Sequence, residues 1–425
     1  MRKLIVSFLL LAAGVSCRKP LFDAMPRWMH EQDRFAREER QEEAGLPGTV
    51  SGPDTPGERL PDEYLTAFEF PEGVPWRDSV VTGAQLVLYK NGEEQLRLSV
   101  NGTPEPDRHR VVEGNLWVDS YENGRMVVSC NGSERFSYAG DELFRGFLVL
   151  DGQVHTLGQC PGQGGFSYRI DGKEVYASSL GTILCTPPDP DWPGGAFSVD
   201  GKDVYYTFAL PVKQAESLGW EYHIMRGDEL VQTIHAGEVD LLYDVRIFQG
   251  EIYRCERLGS SAGSLRMLRG DTPEPLGFLD AEEPHACRLV PTDKRMIIKG
   301  YSIVSGMQPY RCWYRAGSHN LYADSGSLPP LALYRDADGT VAAVLLDPVD
   351  EQRVDALTLA KQQLELPPGN YRMASSRCAD FRGGRFSAAL TAAGGNTHQV
   401  LHATIDTVWV DTYTFNGCFT SLQIQ

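Results

Sequence analysis

The feature that most constrains this chain is a tight turn that returns along its length. "AQLVLYKNGEEQLRLSV" (84–100) joins two strand-like runs through Asn91-Gly92. A two-residue type I′ turn needs positive φ at both central residues, which Asn and Gly tolerate best, so the pair marks an antiparallel hairpin. The pattern recurs in "WVDSYENGRMVVSC" at Asn123-Gly124, "FLVLDGQVHTLG" at Asp151-Gly152, "FSYRIDGKEVYAS" at Asp171-Gly172 and "FSVDGKDVYYTF" at Asp200-Gly201. It continues in "YHIMRGDELVQTI", "VRIFQGEIYRC", "LALYRDADGTVAAVLL" and "DFRGGRFSAAL". Helix-period apolar stripes are nearly absent after residue 45, and 43 Gly with 26 Pro are scattered through the 425 residues. The chain therefore predicts an all-β protein of many short strands.

Taken in pairs, the hairpins give four-stranded units at about 109–139, 144–178, 193–235, 243–279, 286–323, 331–366 and 375–411. Each unit is roughly forty residues long, the size of a propeller blade. A propeller removes the problem of exposed sheet edges by radial repetition. Two hairpins are left over, "TYTFNGCFTSLQIQ" (412–425) of the inner kind and "AQLVLYKNGEEQLRL" (84–98) of the outer kind. Joined, they make a last blade closed by the N- and C-terminal hairpins, giving a β-propeller of about eight four-stranded blades. Seven is the alternative if 331–411 regroups or "YLTAFEFP" (64–71) joins the ring; an open β-solenoid or a pair of sandwiches is the architectural alternative.

The N-terminus reads differently. "MRKLIVSFLLLAAGVSC" has a basic start at Arg2 and Lys3, an apolar run from Leu4 to Ala13 and small residues leading to Cys17. The run is about ten residues, half of what a bilayer span needs, so residues 1–16 read as a signal peptide. Gly14-Val15-Ser16-Cys17 resembles the lipobox of bacterial lipoproteins, with Gly14 where that motif usually has Leu. The resemblance implies that Cys17 is lipidated, with acyl chains such as palmitate; more than one chain gives stable anchoring. Residues 17–61 then form a tether: a charged, helix-compatible stretch (27–45) and a Gly- and Pro-rich linker (46–61), leaving 62–425 for the propeller domain. The residues after Cys17, "RKPLFDAMP", lack an acidic surface-export run, which favours an outer-membrane protein facing the periplasm. Lipobox, tether and the hairpins "DGKxVY" and "YKNGEE" together resemble lipid-anchored bacterial β-propeller lipoproteins of unknown function. The resemblance spans nearly the whole chain, implies the fold and the anchor, and brings no catalytic residues with it.

A net charge of −17 argues against nucleic acid and anionic membrane surfaces as partners. Of nine cysteines, the eight beyond Cys17 are Cys130, Cys160, Cys185, Cys255, Cys287, Cys312, Cys378 and Cys418. They show no CxxC and no zinc-ligand spacing, and are expected mainly as small buried hydrophobes on strands, with disulfides the alternative in an oxidising compartment.

Motifs of chemistry are few. Gly259-Ser260-Ser261-Ala262-Gly263 has the form of a nucleophile elbow, but strands flank it on both sides where the elbow needs a following helix. Asp336-Ala337-Asp338-Gly339-Thr340 begins like a calcium loop, yet Asp347 stands at the twelfth position and alternation resumes at once, as in a hairpin turn. His398 and His402 fall in a strand and face one side, an incomplete metal set. The sequons Asn101-Gly102-Thr103 and Asn131-Gly132-Ser133 read as turns. No metal or cofactor is expected, and no catalytic residue is identified. The best local hint is the proline-rich loop "CTPPDPDWPGG" (185–195), which presents Trp192 between acids, a residue suited to stacking on a sugar or peptide. The expected function is a non-catalytic binding or scaffold propeller of the cell envelope, recognising a protein or glycan. The alternative is an envelope enzyme acting on glycans or peptides at the central channel.

Overall fold

The computed structural model describes residues 61–74, 83–100, 105, 108–160, 164–184, 195–214, 217–258, 265–274, 276, 282–292, 295–304, 310–316, 319–326, 332–346 and 353–425. Five of the expected turns take the expected geometry, and Asp200-Gly201 does not, since Asp200 lacks the positive φ. Asn91, Asn123, Asp151, Asp171 and Gln249 have φ between 48° and 53°, and the glycine after each is also positive. The remaining turns place a lone or paired glycine at positive φ, at Gly201, Gly227, Gly339, Gly383 and Gly384.

The strands pair into eight separate antiparallel sheets among the described residues, each running through four places from first strand to last. Blade I is His109–Val112, Asn115–Glu122, Arg125–Cys130 and Ser133–Ala139; blade II is Leu143–Leu150, Gln153–Gln159, Phe166–Ile170 and Lys173–Ser178. Blade III has a first strand in two pieces (Thr182–Ile183 and Ser198–Asp200), then Asp203–Gln214, Ser217–Arg226 and Glu229–Ile234. Blade IV is Leu241–Phe248, Glu251–Arg257, Leu265–Arg269 and Thr272–Glu274; blade V is Glu282–Pro291, Met296–Val304, Tyr310–Ala316 and His319–Gly326. Blade VI is Ala332–Arg335, Val341–Leu346, Val354–Leu359 and Gln362–Leu364. Blade VII again splits its first strand (Tyr371–Arg372 and Ala379–Arg382) before Arg385–Ala392, Thr397–Ala403 and Val408–Thr414. The first strand of each blade is its inner strand, and those of blades III and IV, IV and V, VI and VII, and VII and the closing blade lie against one another. The architecture is an eight-bladed β-propeller.

The closing blade uses both ends of the chain, but three strands to one and not hairpin to hairpin. Gly417–Ile424 is its inner strand, followed outward by Glu63–Glu69, Gln85–Lys90 and Glu93–Ser99. Val408–Thr414, the front half of the C-terminal hairpin, instead finishes blade VII, pairing with Thr397–Ala403. The extended stretch at 64–71 does join the ring, as Glu63–Glu69, but inside the eighth blade and not in place of another. Residues 332–414 keep two blades of their own, so the count is eight and not seven. The stretch pairs on both sides, Leu65 with Tyr89 and with Leu422. A strand held on both edges satisfies its backbone groups in full, which a terminal two-stranded hairpin cannot do.

"FSYRIDGKEVYAS" and "FSVDGKDVYYTF" occupy different places: the first is the outer hairpin of blade II, the second the inner hairpin of blade III. Their aromatic residues nevertheless share one core. The Phe166 and Tyr206 rings lie 6.2 Å apart and those of Tyr168 and Phe197 5.9 Å apart, both pairs edge-on. The rest of the core is likewise layered between blades, from Trp117 against Phe147 at the first seam to the cluster around Phe386, Leu390 and Phe419 that joins blades VI, VII and VIII. Burying aromatic and aliphatic faces between twisted sheets is what drives such a ring to close.

The Asx-Gly turn does more than reverse the chain. In blades VIII, I and II the turn residue's Oδ1 accepts the N–H that opens the second strand: Glu63 to Asn91 at 2.8 Å, Leu116 to Asn131 at 2.9 Å and Val154 to Asp171 at 3.0 Å. Its own N–H donates back to the same residue's carbonyl. A shift of register follows shortly after, between the third and fourth strands, at Leu88/Tyr89, Val128/Ser129 and Tyr168/Arg169. Such a bulge adds twist to the outer edge of each blade.

Candidate functional site at the inner ring

A polar side chain on one inner strand repeatedly accepts a backbone N–H from the next blade. Asp244 of blade IV accepts from Leu289 of blade V at 2.9 Å and from its neighbour Val245 at 2.9 Å, with Arg246 3.2 Å away. Asp380 of blade VII repeats the pattern, accepting from Ile424 of blade VIII at 2.9 Å and from Phe381 at 2.8 Å, with Arg382 at 3.5 Å. Asp336, at the end of the inner strand of blade VI, accepts from Ala337 at 2.8 Å, from Gly383 of blade VII at 3.1 Å and from Gly384. Ser198 of blade III accepts from Ile247 of blade IV at 2.8 Å. All four side chains are buried. A buried carboxyl group whose oxygens accept two or three backbone N–H groups is spent on structure, with little capacity left for a substrate. Sequence reading missed this ring. Its signal was the repeat Asp244-Val245-Arg246 and Asp380-Phe381-Arg382 at the same blade position.

Asp336 and Asp338 form the expected hairpin turn. Thr340 donates N–H and Oγ1 to Asp338 at 2.8 and 2.9 Å, and Asp336 is taken by the blade VII turn, which leaves no cation cage. Among the described residues no group of three or more His, Cys, Asp or Glu is placed to hold a metal ion.

Blades III and VII interrupt their inner strands. In blade VII the interruption carries a 3₁₀ turn, Ser376–Cys378. The Ser376 carbonyl accepts from Tyr334 Oη of blade VI at 2.7 Å, and Arg377 donates to the His109 carbonyl of blade I. In blade III residues 185–194 fall between the two pieces: before them the Leu184 N–H donates to the Thr207 carbonyl at 2.8 Å. After them Gly195 bridges to Gly146 of blade II. Gly195 has φ of 64°, and a Cβ there would lie 2.5 Å from the Arg145 carbonyl oxygen, so only glycine fits. The loop between, with Trp192, lies outside the described residues, as do Cys17, the tether and Ser261.

Two buried clusters resemble catalytic sets. His402 Nδ1 lies 2.9 Å from Ser387 Oγ and 3.3 Å from Glu63 Oε2, and its Nε2 lies 3.2 Å from Asp411. Ser387 is 0% exposed and His402 is stacked on Trp409. A nucleophile must meet its substrate, and this serine lies between two sheets. Burial opposes the charge on Glu63, but hydrogen bonds from His402 and Ser387 and the Arg385 charge outweigh it, so its pKa sits below the ordinary carboxylate value. The cluster fastens the first propeller strand to blade VII. In the second, His109 Nε2 lies 2.8 Å from Thr420 Oγ1, which is 2.8 Å from Thr66 Oγ1. Burial, reinforced by the Arg377 and Arg110 guanidinium groups, holds the His109 pKa well below the ordinary imidazole value.

His398 is on the expected strand and the expected side, but it is not a ligand. It accepts the Ala392 N–H at Nδ1 and donates from Nε2 to the Phe415 carbonyl, both at 3.0 Å, which fixes one neutral tautomer. Burial lowers its pKa accordingly.

The surface is most elaborate at blade III. Its two central strands pair from Tyr205↔Arg226 out to Gln214↔Ser217. The flanking strands stop opposite Ala209 and Tyr222, so Leu210–Gln214 and Ser217–Glu221 run on as a two-stranded ribbon with no third strand paired to it among the described residues. The ribbon carries exposed Trp220, opposite Pro211, and the same blade exposes Leu230 and Val231 on its outer strand. Leu180, just before the blade, is 62% exposed.

No family model matches the chain, and no curated protein matches it. Solved structures resemble it in shape. A eukaryotic initiation factor aligns over 85% of this chain and 99% of its own, at 10% identity and a TM-score of 0.48. The dihydro-heme d1 dehydrogenase NirN, in complex with DHE, aligns over 90% and 78%, at 13% identity and 0.47. A quinonprotein alcohol dehydrogenase-like protein from Bacteroides thetaiotaomicron aligns over 86% and 91%, at 8% identity and 0.35. The propeller rests on the strand pairing described above and not on these likenesses.

Proposed function

We propose that the chain is a cell-envelope lipoprotein, exported by residues 1–16 and anchored through Cys17 in the outer membrane facing the periplasm. In this reading its propeller binds a protein or glycan and catalyses no reaction of its own. The observation that carries the binding reading is the departure of blade III from the plan of the ring. The inner strand is interrupted at the point in the sequence that carries Trp192, and an unflanked ribbon presents Trp220. Aromatic side chains on short, turn-bounded projections offer large contact area at low entropic cost, as binding surfaces require. The engagement of Asp244, Asp336 and Asp380 with neighbouring backbone favours a structural inner ring over a catalytic one.

The test is in-cell chemical cross-linking of the native lipoprotein followed by mass spectrometry, with Cys17→Ser as control. A stoichiometric envelope partner, linked near blade III and lost in the control, is the expected result. Recovery of self-links alone would sink the binding reading and turn the search to small substrates.

A further inference from the structure

Cys255 lies on the second strand of blade IV and Cys287 on the first strand of blade V. Both thiols are 0% exposed and share one apolar cluster with Tyr253, Met267, Leu289, Ile298 and Trp313. Both are in the reduced form, and the two side chains lie within hydrogen-bonding reach of each other across the seam between blades. Cys378 stands in contrast, with its sulfur directed at the Phe419 carbonyl at 3.8 Å. Cys255 itself is packed inside the shared cluster. Its strand partner Asp244 is committed to the Leu289 and Val245 N–H groups.

We propose that Cys255 and Cys287 are a disulfide-forming pair that staples blade IV to blade V. The supply of oxidant rests on the export reading above, because thiols meet disulfide donors in oxidising compartments. One thiolate attacks a donor disulfide, such as oxidised glutathione or an oxidised dithiol catalyst, and releases one donor thiol. The second thiolate attacks the mixed disulfide and releases the other. Two S–H bonds are lost and one S–S bond is made; two protons and two electrons leave the protein, and the donor is reduced to two thiols. Burial holds the Cys255 thiol protonated in the folded ring, so exchange belongs to the stage of folding before the two blades dock. Once closed, the bond is shielded from reductant by the same cluster.

The test uses the full chain, unfolded and reduced, then refolded with either oxidised glutathione or excess reductant. Residual thiols are blocked by alkylation and the protein is digested with trypsin without reduction. The Cys255–Arg257 peptide linked to the Gly270–Arg288 peptide is expected in the oxidised arm alone. The oxidised protein should also melt higher, by on the order of 3 °C for a closed loop of about thirty residues. Recovery of both peptides alkylated, or of either cysteine joined to a different one, overturns the pair. The same map on acid-quenched protein taken from cells separates the two claims. A bond that forms on refolding yet is missing from the cell-derived chain overturns the export reading and leaves the pair standing.

Discussion

Blades III and VII stand four places apart in a ring of eight, and each interrupts its inner strand between two short pieces. Their uses of the interruption differ. In blade VII the inserted turn is tied into the wall through Tyr334 to Ser376 and Arg377 to His109, and the strand piece after it through Asp380 to Ile424, so together they link blades VI, VII, VIII and I. In blade III the interruption falls between Leu184 and Gly195, and the two central strands run on past their neighbours. One departure closes the ring where the two chain ends meet. The other stands beside two central strands that outrun their flanks. The contrast predicts that damage to blade VII costs stability and damage to the blade III projections costs only recognition.

The largest effect is expected at Asp380. Asp380→Ala leaves the buried N–H groups of Phe381 and Ile424 without their acceptor, at the seam that holds the C-terminal strand. Urea unfolding should show a loss of about 3 kcal/mol, since each buried unsatisfied donor costs about 1–3 kcal/mol. Asp380→Asn keeps one acceptor oxygen and should recover part of it. An unchanged midpoint in both variants would break the view of blade VII as the clasp.

Acid should loosen the same region first. His109 has a folded pKa below its unfolded value, so between the two the unfolded chain binds the extra proton. Its contribution is fully present above about pH 6.5 and is lost as pH falls below it, by about 1 kcal/mol per pH unit. His398, shifted in the same direction, adds to the slope. Stability measured from pH 7.5 to 5 should fall less steeply in His109→Gln, and equal slopes would remove His109 from the account.

A smaller loss is expected at Ser387. Ser387→Ala removes the 2.9 Å contact to His402 Nδ1 but leaves Glu63 and Asp411 around the imidazole. About 1 kcal/mol is expected, the net worth of one hydrogen bond. A loss several times larger would mean that the serine orders the whole Glu63 cluster.

Much of the ring was legible because turn chemistry is local. Asn91, Asn123, Asp151 and Asp171 must take positive φ, and their neighbours in sequence announce it. The place of each hairpin within a blade was less legible, since inner and outer hairpins need the same turn. That is why the phrases at Phe166 and Phe197 read alike. The strand Glu63–Glu69 escaped the pairing because it has no turn partner: it pairs with Gly417–Ile424 from the other end of the chain, and sequence distance hides that register. The inner-ring acids escaped for a related reason. Asp244, Asp336 and Asp380 look like solvent-facing turn residues until the next blade supplies its N–H groups. The Ser387–His402 contact likewise joins strands whose facing sides only the sheet defines.

The smallest effect on stability is expected where the effect on function should be greatest. Replacing residues 211–220 with Asn-Gly would shorten the blade III ribbon to the length that its flanking strands cover. From Leu210 and Glu221 outward no third strand pairs with the ribbon among the described residues, and Pro211 lacks the N–H that would recruit one. Its removal therefore takes away little buried surface, and the unfolding midpoint should stay within about 0.5 kcal/mol of the native chain. Trp220→Ala should do the same with less disturbance, because the indole is already half in water. If blade III is the recognising blade, both variants keep the fold and lose the cross-linked partner. If the partner persists at full yield, recognition lies elsewhere on the ring, and the ribbon is an ornament of the fold. If instead either variant unfolds the protein, blades III and VII use their interruptions alike, and the contrast between them is gone.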